Sequence, residues 1–287
     1  MTDTSAPPTP PPAPAGKSPT PVWRILLYVL VPIVAALVLI AAFVIALWGR
    51  SGPVDQSADL APGTSLSVEL PNAVIVLEPS VDDEVHVRMT GSYFGNEPTF
   101  SARTDGGVTE VRGGCRAQIF SRCSVTVTVQ LPAALPVTAA GENGRIAASG
   151  LTGRVTLTTT NGVIETDGTV GRVDLQSTNG DIRVTDAVST SVVASTTNGS
   201  VALAFEDAPE AVEAGSTNGQ ITVRVPVDDV SYRITAQTTN GTVTDDTVPS
   251  DSTSRRSITA RTTNGGITIE ATRYLYCLRA GSGRMAA

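Results

Sequence analysis

Val173-Asp174-Leu175-Gln176-Ser177-Thr178-Asn179-Gly180-Asp181-Ile182-Arg183-Val184 is the stretch on which the fold turns. Apolar and polar residues alternate up to Ser177, the period of a strand and not of a helix. Asn179-Gly180 then supplies a bend, since both residues tolerate positive φ at little steric cost, and a second alternating run follows. The Asn-Gly pair recurs at Asn143-Gly144, Asn161-Gly162, Asn198-Gly199, Asn218-Gly219, Asn240-Gly241 and Asn264-Gly265, at a spacing that widens from 18 to 24 residues. Six before each asparagine stand Val137, Val155, Val173, Val192, Val212, Ile234 and Ile258. Four before stand Ala139, Leu157, Leu175, Ala194, Ala214, Ala236 and Ala260, and three after stand Ile146, Ile164, Ile182, Val201, Ile221, Val243 and Ile267. No column breaks, so the chain carries a tandem repeat and its fold must be read from that repeat.

All growth of the unit falls in the connection after its second strand, as in Thr244 to Arg256, while the Asn-Gly bend keeps its length. Two all-β architectures fit. Asn-Gly between alternating strands is a strong hairpin signal, which allows a long antiparallel meander. The other is a β-solenoid, with each unit one coil stacked on the last. A meander would expose one continuous apolar face, and no amphipathic helix after residue 50 is available to cover it. A solenoid turns its apolar columns toward one another, and asparagines in register can pair their amides along the stack. The β-solenoid is therefore the expected fold. Its inward columns are small, including Thr159, Ser177, Thr196, Ser216, Thr238 and Thr262 two before the asparagines, and aromatics are 4% of the chain. Such a core is narrow and leaves no room for a buried ligand.

Outward positions beside the bend are Thr160, Thr178, Thr197, Thr217, Thr239 and Thr263, a hydroxyl row expected to support the turn through backbone hydrogen bonds. The neighbouring outward row, Thr158, Gln176, Ser195, Gly215, Gln237 and Arg261, is mixed. A glycine beside each asparagine is expected to sit at positive φ.

The organisation read along the chain is a Pro-rich tail over 1–22, a transmembrane helix over 23–49, a linker over 50–61, the β-solenoid over 62–272 and a C-terminal cap and tail over 273–287. Within the solenoid, 62–135 reads as irregular first coils, with a separate small β domain as the alternative, and 136–272 as regular repeats. Ile25 to Trp48 is apolar and uncharged, long enough to span a bilayer and longer than the apolar region of a cleaved signal. Trp23 and Trp48 stand at its ends, Pro32 lies within it, and Arg24 and Arg50 bound it. Lys17 and Arg24 before the span, against Asp55 and Asp59 after it, put the N-terminus in the cytoplasm and the repeats outside. The lipid bilayer is thus one expected partner, through residues 25–48.

Eight prolines in the first 21 residues make that tail extended and solvated, with docking of a partner as the alternative. Cys115 and Cys123 flank a short loop and could close a disulfide in an oxidising compartment, or stand as two thiols. Cys277 is left over, in the expected cap. The net charge of −7 argues against nucleic acid or anionic lipid as a ligand.

Chemistry is hard to find. The single histidine, His86, lies on a strand-like alternation and reads as inert. Acidic clusters at Asp82-Asp83-Glu84, Asp228-Asp229 and Asp245-Asp246 lack the spacing of a calcium loop and read as solvated turns. No phosphate loop, nucleophile elbow or Cys/His metal spacing occurs. No catalytic residue, metal or cofactor is expected, and the chain reads as a non-enzyme.

Val125-Thr126-Val127-Thr128-Val129-Gln130-Leu131-Pro132, with the repeated Thr-Asn-Gly-x-Ile and Gly150-Leu151-Thr152-Gly153, resembles the bacterial putative adhesin family of β-strand-repeat proteins, a domain of unknown function. The resemblance covers roughly residues 62 to 270 and has no catalytic residues to carry over. It implies a β-solenoid ectodomain at the cell envelope, with roles in adhesion or envelope-stress sensing for relatives. Together with the cell-membrane anchor, the expected function is adhesion or binding of an unidentified envelope or cell-surface ligand. An envelope-stress sensor or regulatory scaffold signalling through the Pro-rich tail is the alternative, and a glycan-cleaving solenoid enzyme a distant third.

Overall fold

The structure, a computed structural model, describes residues 22–48, 51–115, 122–226 and 230–272. The Pro-rich tail, Asp228-Asp229 and the expected C-terminal cap with Cys277 lie outside the described residues. Two compact units form, one over Met1–Gly49 and one over Arg50–Ala287.

The first unit holds one helix, α1 (Val22–Trp48), with Pro32 inside it. Its window Leu26–Val44 is long and apolar enough to cross a membrane. Leu26, Leu30, Leu37 and Phe43 all stand exposed along it.

The second unit is all-β. In chain order its strands are β1 (Ser51–Leu60), β2 (Ser65–Glu69), β3 (Val74–Pro79), β4 (Val85–Phe94), β5 (Thr99–Asp105), β6 (Val108–Gly114) and β7 (Arg122–Leu131). Five pairs follow: β8 (Val137–Asn143) with β9 (Ile146–Ser149), β10 (Val155–Asn161) with β11 (Ile164–Asp167), β12 (Val173–Asn179) with β13 (Ile182–Ala187), β14 (Ser191–Asn198) with β15 (Val201–Phe205), and β16 (Ala211–Asn218) with β17 (Ile221–Pro226). The last two pairs are β18 (Arg233–Asn240) with β19 (Val243–Thr244), and β20 (Ser257–Asn264) with β21 (Ile267–Thr272).

Each pair gives one strand to each of two sheets. Equivalent strands of neighbouring units run parallel and in register: Val155 opposes Val137 and Val173, and Asn161 opposes Asn143. Ile164 likewise opposes Ile146 and Ile182 in the other sheet. This is the stacking of a β-solenoid. An antiparallel meander would have paired β10 with β11, and it does not form. The apolar columns read from the sequence face each other between the sheets; Val155, Leu157, Ile164, Val173 and Leu175 are fully buried. Burying each such side chain contributes roughly 1.5–3 kcal/mol, with no lid needed.

The order of coils departs from the order of the chain at both ends. One sheet runs β1-β4-β7-β3-β9-β11-β13-β15-β17-β21-β19 and the other β18-β20-β16-β14-β12-β10-β8-β2-β6-β5. The last unit, β20/β21, is inserted between β16/β17 and β18/β19. The first coil, β2/β3, is likewise enclosed, by β8/β9 on one side and β6/β7 on the other. Each swap makes the chain step across two layers, about 10 Å at one strand spacing per layer. At the β18 end the step falls between β17 and β18, and the long connection over 245–256 returns the chain one layer to β20.

Strands β2 and β3 join the repeat sheets directly, since β2 pairs β8 and β3 pairs β9. The linker expected over 50–61 is instead strand β1, antiparallel to β4 from Ser51↔Phe94 to Leu60↔Val85. Its polar composition and Pro53 disguise an edge strand that buries little beyond Val54.

Candidate functional surface

Three sets of hydrogen bonds meet at the Asn-Gly bends. The side-chain amides form a continuous ladder in stack order Asn72, Asn143, Asn161, Asn179, Asn198, Asn218, Asn264, Asn240. Every Nδ2 donates toward the Asn72 end, over distances between 2.7 and 3.0 Å. Asn72 in turn donates to the Cys115 carbonyl at 3.0 Å. Glycine N–H groups donate to the asparagine carbonyl of the adjacent coil, as Gly180 does to Asn198 at 2.9 Å. Inward hydroxyls complete the set: Ser177 donates to the Gly162 carbonyl, Thr196 to Gly180 and Ser216 to Gly199. The hydroxyls that support the bends are therefore those of the inward column. The outward row Thr160, Thr178, Thr197, Thr217, Thr239 and Thr263 is exposed and makes no side-chain hydrogen bond among the described residues.

Positive φ is the wrong account of Gly180. Gly144, Gly199 and Gly265 are at positive φ, but Gly180 is not among them. A Cβ on Gly180 would lie 1.8 Å from the Gly162 carbonyl oxygen, and one on Gly162 equally close to Gly144. These glycines are needed because the backbones of successive coils touch at the bend.

Cys115 and Cys123 form a disulfide, with their Cα atoms 5.7 Å apart, tying the end of β6 to the start of β7. Their connecting residues 116–121 lie outside the described ones.

Beyond the bends, the outer face of the β9-to-β21 sheet carries charge in rows that run along the stack. Glu165 receives Arg145 on one side and Arg183, at 3.5 Å, on the other. Arg224 pairs with Glu270 in the adjacent coil. Asp167 accepts the Thr185 hydroxyl at 2.7 Å. Where small Ala147 and Ser149 stand between Val76 and the charged residues, the face dips into a shallow groove of about 220 Å³, bordered by Arg145, Glu165 and Arg183.

A second polar cluster lies at the β1 end. His86 opposes Asp59 directly across the β1–β4 ladder, and its Nδ1 lies 2.7 Å from Asp59 Oδ1. Its Nε2 lies 2.9 Å from both carboxylate oxygens of Asp82. The hydrogen bonds to Asp59 and then Asp82 raise the His86 pKa to about 9. The same contact to His86 lowers that of Asp82. On the same face Arg88 donates Nε and Nη2 to Asp55, at 3.0 and 2.9 Å, and so lowers the Asp55 pKa.

Residues 136–273 match the family model described as Toastrack DUF4097. This stretch is a Toastrack domain. Its function is unknown. The match runs from β8 to the end of β21, so the Toastrack domain is the repeat itself, and β1 to β7 lie before it. Among solved structures, a putative adhesin from Bacteroides fragilis is 12% identical, covering 77% of this chain and 97% of its own, with a TM-score of 0.41. A putative cell adhesion protein from Clostridium sporogenes is 12% identical over 77% of this chain and 100% of its own, with a TM-score of 0.38. A putative lipid binding protein from Parabacteroides distasonis is 12% identical over 77% and 97%, with a TM-score of 0.32. No curated protein matches the sequence.

Within the Toastrack domain the seven Asn-Gly bends, from Asn143-Gly144 to Asn264-Gly265, line up along one edge of the stack. The His86 cluster is hidden in the sequence, because the polar stretch that carries Asp59 reads as a linker. The alternation Val54, Gln56, Ala58, Leu60 was the available signal. Asp245 is half-buried and Asp246 exposed in the connection after β19, without a histidine beside them.

Proposed function

We propose that this chain is a membrane-anchored, extracytoplasmic β-repeat module that binds another component of the cell envelope or a neighbouring cell surface, and acts by binding rather than by catalysis. The observation that carries this reading is the rigid outer face bearing Arg145, Glu165, Arg183, Arg224 and Glu270. Parallel in-register strands hold its side chains in rows about 4.8 Å apart, so an extended partner meets the same spacing at every coil. The Arg145–Glu165–Arg183 groove is a concavity on that face, and its guanidiniums would contact acidic or hydroxyl-rich groups.

Two features support the placement. Helix α1 offers a 19-residue apolar window for insertion in a bilayer. The Cys115–Cys123 disulfide suits an oxidising compartment outside the cytoplasm. With Lys17 and Arg24 on the cytoplasmic side, the β unit stands outside.

Full-length protein in detergent micelles, immobilised and exposed to fractionated envelope components, should retain at least one fraction. Arg145→Ala/Arg183→Ala should lower that retention several-fold with the melting temperature unchanged. Equal retention by the variant overturns the groove as the contact; no retention of any fraction, with no loss of cell attachment on deleting the protein, overturns the binding role. Protease added to spheroplasts should remove the β unit and spare a tag at residue 1. Protection of the β unit would reverse the orientation.

A further inference from the structure

Outside that face, among the described residues, one group of side chains has the chemistry to hold a metal ion. Oxygen atoms of Asp82 and Glu84 and a ring nitrogen of His86 lie within 4.8 Å of one another, at the exposed turn between β3 and β4. We propose that Asp82, Glu84 and His86 Nε2 bind a divalent transition-metal ion of the zinc class, with Asp59 holding the imidazole in place.

The donor set comes first. Imidazole with two carboxylates is a mixed nitrogen and oxygen set, which suits zinc and its neighbours and not the all-oxygen cages of calcium or magnesium. Zinc takes such donors at about 2.0–2.2 Å. All three donors already lie within 4.8 Å of one another, and Asp82 is 2.9 Å from Nε2.

The imidazole is also oriented as a metal ligand usually is. A histidine that ligates through one nitrogen commonly donates its other ring N–H to a carboxylate, which fixes the tautomer and raises its basicity. Asp59 occupies that place at 2.7 Å from Nδ1. It comes from a different strand, 27 residues away, and the β1–β4 register sets it directly opposite. Nε2 is thereby aimed at the turn.

Charge points the same way. Asp55, Glu69, Glu110, Glu165 and Glu270 each have an arginine partner. Among the described residues no guanidinium pairs with Asp59, Asp82 or Glu84, and three carboxylates share one imidazole. An imidazolium offsets one of those charges, whereas a divalent ion beside a neutral imidazole offsets two. On binding, the metal–Nε2 bond forms as the Nε2 proton, otherwise shared with Asp82, leaves to buffer; no redox change is involved.

The test uses full-length, untagged protein in detergent micelles, stripped with a chelating resin and titrated with Zn²⁺ alone by calorimetry near pH 7.5. One site per chain is expected, with proton release seen as a dependence of the heat on buffer ionisation. The single imidazole ¹⁵N signal should shift at Nε2 and keep Nδ1 protonated. His86→Ala and Glu84→Gln should weaken binding at least tenfold. Asp59→Asn, a positioning change, should weaken it about 10-fold to 100-fold while leaving the melting temperature unchanged in chelator. Ca²⁺ at the same concentration should not compete. Binding that is absent from the wild type, unchanged in His86→Ala, or equally strong for Ca²⁺ overturns the proposal.

Discussion

The two ends of the stack are built alike in threading and differently in finish. At each end one coil is laid down out of order, so that the first coil and the last both lie one layer inside. At the β1 end the outermost coil is then wrapped by antiparallel strands, β5 on β6 and β4 on β7, with β1 outside β4. A disulfide and the Arg88–Asp55 and Arg103–Glu110 pairs lie in that wrap. At the other end β18 is an edge strand, and Ile234 and Ala236 are only half-buried where Ile258 and Ala260 in the next coil are fully buried. Val243 of the same coil is 40% exposed. The columns are identical in sequence at both places, so a residue's contribution is set by whether a coil lies beyond it.

The largest test of that contrast is a pair of truncations of inward apolar residues. Leu157→Ala, in the middle of the stack, should cost about 2–5 kcal/mol, and Ile234→Ala, at the open end, roughly half of that or less. Hydrogen exchange should show the first opening several coils and the second only β18 and β19, since each coil leans on its neighbours. Equal costs would mean that the β18 end is covered as fully as the middle.

The bends give the next contrast. Gly180→Asn forces a side chain into the Gly162 carbonyl and should cost roughly 1–3 kcal/mol in denaturant unfolding. Gly168→Asn should cost under about 1 kcal/mol, because Gly168 has φ of 58° with nothing near its Cβ position, a conformation asparagine tolerates. The reverse ranking would refute backbone contact as the reason for glycine at the bends. Smaller still, Asn179→Ala removes two ladder bonds and should cost about 0.5–1.5 kcal/mol. Asn240→Ala removes one and should cost about half as much.

The wrapped end should also respond to pH. His86 has a folded pKa raised to about 9, so its contribution is complete below its ordinary value of 6.5 and is lost as pH rises through 9. Asp82 is lowered, so its share is present above its ordinary 3.8 and lost as pH falls below that. With chelator present, the protection of β1 amides, corrected for base-catalysed intrinsic exchange, should fall between pH 7 and 10 in the wild type and not in His86→Ala. The exposed position of the pair keeps the effect small.

The middle of the stack was legible because the chain repeats itself there: seven matching units expose the columns, the bend and the strand period together. The ends were less so. Strand β1 has Val54 as its one buried residue, so the hydrophobic signal that marks other strands is missing. The swapped coils depend on where a long connection lands, and Thr244 to Arg256 gives its length without its destination. Gly180 was misread for a related reason: a sequence names the glycine but not the Gly162 carbonyl resting against it. His86 looked isolated because its partner Asp59 is 27 residues away and meets it only through the β1–β4 register.

The threading also limits how such an array can lengthen over evolutionary time. A unit appended after β21 would find its stacking surface already taken by β18 and β19, and one added before β2 would meet β6 and β7. Only duplication of an internal unit, between β8 and β17, inserts a layer and leaves both ends' crossings intact. Relatives of different length should therefore differ in the number of interior units and share the two terminal arrangements.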